Sequence, residues 1–250
     1  MKPLSFPAQL DYYLSAVSCR DSLVNSLKDI IRPYKHGNIL DCSVGTGFGI
    51  IDLIDSGYKI TCSDACENMI SRFNKNAQTT SVKTSPLKIK WQELGDKLPE
   101  LFELILCRGN SIVYSDMWDK DNQSANVKEM KDSIKGIFKS IKSGGCLYID
   151  IPSDKYLNYE HPISISHDET EVNCLPVNVR ETIIHDKSTK KRKWEVEMTI
   201  AGDIYSFTRY SHLIAEEEFK QMLVEAGFKR IARIDASKYR EHYCEFIAYK

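Results

Sequence analysis

The stretch Leu40-Asp41-Cys42-Ser43-Val44-Gly45-Thr46-Gly47-Phe48-Gly49 decides how this chain is read. Residues 38–42 form an apolar run that reads as a strand. Glycines 45, 47 and 49 then make a turn, and 48–56 reads as a helix stopped by Gly57. A strand ending in a glycine turn that opens a helix brings backbone N–H groups close to a nucleotide-like ligand. The glycine pattern alone is weak. A dinucleotide fold places a third glycine three positions after the second, and here that position holds Ile50, which weakens an NAD reading.

Outward from the turn, strands and helices alternate. Residues 59–64 read as a second strand ending at Asp64, and 67–77 as a helix with Ile70 and Phe73 on one face. Residues 87–91 read as a short third strand. Residues 102–107 read as a fourth, apolar enough to be buried on both faces. Val127, Met130, Ile134, Ile137, Phe138 and Ile141 recur at helical spacing, and Gly144-Gly145 introduces a fifth strand over 146–151. Upstream, Leu23, Leu27, Ile30 and Ile31 mark a helix ending near Pro33. Asp64 sits about twenty residues past the glycine turn, where a carboxylate can accept hydrogen bonds from both ribose hydroxyls. Its alternative role is to cap the helix that follows.

After Pro152 the pattern changes. Residues 153–176 show little periodicity, and three alternating runs follow at 177–184, 194–200 and 204–210. The lysine-rich segment 187–193 reads as a hairpin tip in preference to a nucleic-acid or membrane contact. A helix over 215–226 stops at Gly227, and 228–234 and 243–249 read as closing strands. The expected fold is α/β: a Rossmann-like, doubly wound, mostly parallel seven-stranded sheet with an antiparallel β insertion after strand five. The expected organisation is one domain, 1–250. It comprises a helical cap (1–37), a cofactor-binding core (38–152), a β-rich insertion covering the substrate (153–213), and a closing helix with two strands (214–250).

Composition bounds the function. The net charge of -1 over 250 residues argues against a nucleic-acid protein, which usually presents a strongly basic face. No apolar run approaches the roughly 18 residues of a membrane span. Met1 to Pro7 holds no apolar h-region, so no signal peptide is expected. Of the eight cysteines, Cys42, Cys62, Cys107, Cys146 and Cys244 lie in or at the ends of strand-like runs, which suits small buried hydrophobes. No pair has zinc-site spacing, since Cys62 and Cys66 straddle a strand end. A reduced, cytoplasmic protein without structural metal is the expectation.

Leu40-Asp41 with Gly45-Thr46-Gly47 resembles the cofactor motif of the class I S-adenosylmethionine-dependent methyltransferases. The resemblance extends toward the glycine/sarcosine N-methyltransferase group and related small-molecule N-methyltransferases. It rests on Cys62-Ser63-Asp64-Ala65 with Met69, on Trp91, on Cys107-Arg108-Gly109-Asn110-Ser111, and on Gly144-Gly145-Cys146-Leu147-Tyr148-Ile149-Asp150. Tyr13, Arg20 and Phe207-Thr208-Arg209-Tyr210-Ser211-His212 add to it. Its strong part covers about 38–152.

The resemblance implies S-adenosylmethionine as cofactor and S-adenosylhomocysteine as product. Gly45, Thr46 and Gly47 would contact the methionine part, Asp64 the ribose, and Ala65 and Trp91 the adenine. Arg20 would pair with the cofactor carboxylate, and Asp41, Met69, Gln92 and Cys107 complete the implied cofactor set. An indole face can stack on a purine and a guanidinium can hold a carboxylate bidentately. Trp91 as core and Arg20 as a surface cation are the ordinary alternatives. Gly109 and Asn110 follow the fourth strand, where related enzymes place the substrate; the Asn110 amide could orient an amine or a carboxylate, or cap a turn.

Two departures narrow the acceptor. The Asp/Asn-Pro-Pro-aromatic motif of nucleobase-methylating enzymes is missing. Glycine-methylating relatives carry an arginine just past the fifth strand, and here the chain reads Asp150-Ile151-Pro152-Ser153. Arg108 or Arg209 could supply a replacement cation, or be solvated or ion-paired. The implied reaction is transfer of a methyl group to a small molecule, to an amine nitrogen in the first instance. Tyr13, Asn110 and His212 would orient the amine, and His212 could receive a proton. The alternatives are a small-molecule O-methyltransferase and a non-catalytic S-adenosylmethionine-binding regulatory module. The expected partner is a small-molecule substrate, with no nucleic acid, no membrane and a homo-oligomer allowed.

Overall fold

The computed structural model describes residues 3–116, 127–234 and 242–250. The expected segments 1–37, 38–152 and 214–250 therefore reach outside the described residues at 1–2, 117–126 and 235–241. The chain opens with α1 (Phe6–Val17) and α2 (Arg20–Ile31). Pro7 falls in the first turn of α1, where the missing N–H has no intrahelical partner to lose. Then β1 (Ile39–Asp41), α3 (Ile50–Asp55), β2 (Ile60–Asp64), α4 (Glu67–Ala77), β3 (Leu87–Lys88), α5 (Trp91–Lys97), β4 (Phe102–Cys107), α6 (Val127–Ser140) and β5 (Ile141–Pro152) alternate. An all-β stretch follows: β6 (Ile163–Ser166), β7 (Thr170–Val172), β8 (Leu175–Asp186), β9 (Lys191–Ile200) and β10 (Asp203–His212). The chain closes with α7 (Glu216–Ala226), β11 (Arg230–Ile234) and β12 (Tyr243–Tyr249).

The main sheet has seven strands in the order β11-β12-β5-β4-β1-β2-β3. Strands β1 to β5 pair in parallel, while β12 runs antiparallel to β5 and β11 antiparallel to β12. Alternate residues face opposite sides. Ile39, Leu104, Leu106 and Tyr148 pack with Leu27 and Ile31 of α2, Leu53 of α3 and Phe73 of α4. Leu40, Ile105, Leu147 and Ile149 pack with Ile134 and Ile137 of α6 and Phe219 of α7. Each full burial of such a side chain stabilises by roughly 1.5–3 kcal/mol. Burial on both faces explains why these strands lack a polar alternation. The order reverses at β1, whose neighbours are β2 on one side and β4 on the other, and that switch point is where a doubly wound sheet binds its ligand.

Several boundaries differ from the sequence reading. The third strand stops at Lys88, and Trp91 starts α5 instead of ending a strand. Trp91, Leu94 and Leu98 share one helical face on the core, which explains the helix. Phe48 and Gly49 belong to the turn, with Gly49 at φ 78, so α3 begins only at Ile50. The fifth strand starts at Ile141: Phe102 pairs with Ile141, and the register shifts before Leu104 meets Cys146, which takes Gly144-Gly145 into the strand. The region 153–176, aperiodic in sequence, holds β6 and β7.

A second, antiparallel sheet has the order β10-β9-β8-β6, with β7 also on β8. Its inner face carries Val177, Val179, Val196, Met198 and Phe207, packed on Phe6, Tyr12, Tyr13 and Ala16 of α1. The apolar side of α1 therefore serves the insertion. The β8–β9 turn falls at 187–190, where Asp186 accepts hydrogen bonds from Ser188 and Thr189, so Lys187 and Lys190 sit at a hairpin tip, whereas Lys191, Arg192 and Lys193 of the same basic segment already pair within β9. Cys42, Cys62, Cys107, Cys146 and Cys244 are buried free thiols. Among the described residues, no helix is long and apolar enough to cross a membrane.

Candidate active site

The glycine turn joins the C-terminal end of β1 to α3. Gly45 has φ 56 and Gly47 φ 89. A Cβ on Gly47 would lie 2.5 Å from Ile51 Cδ1 and 2.7 Å from Phe73 Cδ2, so this glycine lets the turn lie on the core. A Cβ on Gly45 would have no neighbour nearer than the Ser43 carbonyl at 4.0 Å, so Gly45 borders open space. Asn76 of α4 donates to the Thr46 carbonyl (3.0 Å), fixing the turn from below. The Thr46 hydroxyl is buried without a hydrogen-bond partner, as is that of Ser63.

Asp64, at the end of β2, reaches across to the same turn. Gly45 N–H donates to its Oδ2 (2.9 Å) and Cys66 N–H to its Oδ1 (2.8 Å). Burial pushes its carboxyl up to about 6, against the downward pull of these backbone donors. A carboxylate offers about four lone-pair sites, so these donors do not exhaust its capacity to accept. Ala65 beside it is exposed, and Met69 is buried on α4.

Asp41, fully buried at the end of β1, accepts from Ser43 N–H (3.0 Å) and from Arg108 Nε (2.7 Å). Arg108 also donates through Nη2 to the Phe48 carbonyl (3.0 Å). Of the two fates open to Arg108, the ion-paired one is observed: it fastens the end of β4 to the glycine turn. Cys42 and Cys107 lie side by side beneath it, and burial with the Cys107 contact pushes the Cys42 thiol up. Trp91 packs on the core and donates from Nε1 to the Cys42 carbonyl (2.7 Å). Gln92 donates to Glu129 (3.0 Å), tying α5 to α6. Arg20 forms a bidentate pair with Asp52 and lies 5.2 Å over the Phe48 ring.

Past β4, Gly109 and Asn110 both have positive φ, and their N–H groups donate to the Asp150 carboxylate (3.1 and 2.5 Å). This places Asn110, 4% exposed, with a buried Oδ1 that has no partner. Tyr13 of α1 donates to Glu181 Oε2 (2.9 Å), and burial beside that carboxylate pushes its phenol well above the ordinary value. Trp194 Nε1 (2.6 Å) and His167 Nε2 (2.7 Å) also contact Glu181. His212, at the end of β10, is buried and its Nε2 lies 2.7 Å from Asp116 Oδ1. The Arg209 guanidinium stacks 3.6 Å over Phe6 and donates to the Thr208 carbonyl (2.9 Å).

No protein-family model matches the sequence. Glycine N-methyltransferase of Oryctolagus cuniculus is 27% identical over 147 residues, 55% of this chain and 46% of the relative. The chain thus spans about half the length of the curated relatives it matches first. Among solved structures, the sugar N-methyltransferase KedS8 from Streptoalloteichus superposes with a TM-score of 0.73 at 16% identity, covering 100% of this chain and 95% of the other. An S-adenosylmethionine-bound amino pentose methyltransferase from Micromonospora echinaspora gives 0.72 at 13% identity, covering 100% and 99%. The chain thus shares the fold of solved S-adenosylmethionine-dependent methyltransferases, and about half of it is similar in sequence to glycine N-methyltransferases.

Within this fold, sequence reasoning did not single out Asp116, Glu181 or Arg192, and quoted Asp150 without giving it a role. Asp150 was visible as the last acid of the fifth strand, and its hold on Gly109 and Asn110 spans 40 residues. Asp116 pairs with a histidine 96 residues away, and Glu181 with a tyrosine 168 residues away. No local pattern carries such pairs. An acid alternating with valines on β8 was the one available signal for Glu181.

Proposed function

We propose that this chain transfers a methyl group from S-adenosylmethionine to an amine nitrogen of a small molecule, releasing S-adenosylhomocysteine. The observation that carries the proposal is the Asp64 carboxylate, tied by Gly45 N–H to a glycine turn that borders open space. The orphaned hydroxyls of Thr46 and Ser63 fit a polar ligand at the same point. Asp64 accepts from the ribose hydroxyls through its remaining lone pairs, while Gly45, Thr46 and Gly47 border the amino-acid tail. Ala65 and Trp91 flank the adenine. Arg20 reaches the tail carboxylate by leaving Asp52, an exposed pair whose loss costs little. Asp41, Met69 and Cys107 act from behind, by shaping the turn and its floor, while Gln92 acts indirectly by tying α5, which carries Trp91, to α6.

The cofactor supplies an activated sulfonium methyl, so the chain has chiefly to hold the acceptor in line, a proximity effect worth several kcal/mol. Asn110 Oδ1 accepts one amine N–H. Tyr13 donates to Glu181 and keeps lone pairs for another. His212, with Nε2–H directed at Asp116, presents Nδ1 as the proton acceptor. The N-methyltransferases among its relatives support nitrogen as the acceptor atom. The test is calorimetry with S-adenosylhomocysteine, followed by labelled-methyl transfer to panels of amines and alcohols. Binding and transfer to an amine are expected. No binding overturns the cofactor site, binding without transfer overturns the enzyme, and transfer to alcohols alone overturns nitrogen.

A further inference from the structure

The inner face of the antiparallel sheet changes character along its length. Next to α1 it is apolar. Toward the β8–β9 turn, the row Ile183, Trp194 and Arg209 is followed by the row His185, Arg192 and Ser211. Arg192 shares the face of Trp194, two residues on, which contacts Glu181 and the Tyr13 ring. The Arg192 guanidinium is half-buried, and it contacts the Tyr114 hydroxyl by hydrogen bond and charge. Its charge also acts on Tyr13 of α1 and on His185 of β8. It therefore lies where α1, the insertion and the segment after β4 converge.

Two facts bear on this cation. Among the described residues, Arg192 has no carboxylate within ion-pair distance, whereas Arg20, Arg32, Arg72, Arg108 and Arg233 each have one. Its cross-strand neighbour Ser211 is fully buried, and the Ser211 hydroxyl has no hydrogen-bond partner. A half-buried cation beside an unpartnered buried hydroxyl suits a missing oxyanion, because both then gain a strong acceptor. Neither Glu181 nor His185 fills that role. Glu181 is held by Tyr13, Trp194 and His167, and His185 contacts the backbone of Asn158.

We propose that Arg192, with Ser211 and Tyr114, binds an oxyanion carried by the methyl acceptor, so that the substrate is an amine bearing a carboxylate or a phosphate. This deepens the methyl-transfer reading and rests on it.

The experiment is calorimetric titration of the protein saturated with S-adenosylhomocysteine, using matched amines: glycine against methylamine, and glucosamine 6-phosphate against glucosamine. The oxyanion-bearing member of at least one pair is expected to bind about 10- to 100-fold tighter than its neutral match. The pair that shows the gap tells carboxylate from phosphate. Arg192→Gln is expected to erase the gap and Arg192→Lys to restore part of it, with S-adenosylhomocysteine affinity unchanged in both. Equal binding of the neutral matches, or a gap that survives Arg192→Gln, overturns the assignment. So does failure of every oxyanion-bearing amine to bind. Failure of S-adenosylhomocysteine itself to bind is a separate result, and removes the cofactor reading beneath the proposal.

Discussion

Gly45 and Gly47 stand two residues apart in one turn, yet alanine should act on them in opposite ways. At Gly47, φ 89 lies outside the left-handed well near +50 to +70°, and the new methyl would approach Ile51 and Phe73 to 2.5 and 2.7 Å. Both neighbours are core residues, at 3% and 0% exposure, so neither yields easily. The backbone term is about 1–3 kcal/mol and overpacking about another 1–3, roughly 2–6 kcal/mol in all. That is a large share of the ~5–15 kcal/mol typical of a folded domain. At Gly45, φ 56 lies inside the well, and no atom comes nearer than 4.0 Å. The cost there is about 1–2 kcal/mol of backbone strain. The same methyl, however, enters the space assigned to the cofactor tail and should weaken S-adenosylhomocysteine binding by about tenfold or more. Urea unfolding followed by tryptophan fluorescence measures the first quantity, and calorimetry the second. If Gly45→Ala binds S-adenosylhomocysteine like the parent, or is as unstable as Gly47→Ala, the open side of the turn is not the ligand side.

Three further outcomes follow from the same geometry. Asp64, with its carboxyl pushed up to about 6, accepts ribose hydroxyls best when ionised, so S-adenosylhomocysteine affinity should rise with pH through about 6. Its own contribution to stability has the reverse sign: present in full below the ordinary carboxylate value, and lost as pH climbs through about 6. Asp64→Asn should flatten both profiles, and a pH-independent affinity in the parent would count against the ribose role. Arg108→Met leaves the fully buried Asp41 without its cation and should cost about 3–5 kcal/mol in chemical denaturation; a loss below 1 kcal/mol would show that the pair does not hold the turn. His212→Asn and Asp116→Asn should each lower kcat by about 100-fold with S-adenosylhomocysteine affinity unchanged. An unaltered kcat in either variant would reduce the pair to a structural contact.

By itself the sequence determined the parts whose physics is local. Strand β4, helix α4 and strand β12 fall where periodicity put them, because an apolar run or a 3.6-residue stripe needs no distant partner to be seen. The glycine turn and Asp64 were legible for a related reason: positive φ favours glycine, and a strand end fixes where the acid projects. Only the tertiary structure decided how the charges divide. Arg108 and Arg192 look alike in sequence, yet packing sets one against buried Asp41 and leaves the other beside Tyr114 and Ser211. Likewise Glu181 meets Tyr13, and His212 meets Asp116, across separations no local pattern spans. Side-chain charge is written in the chain, but its partner is set by which strands come to lie together.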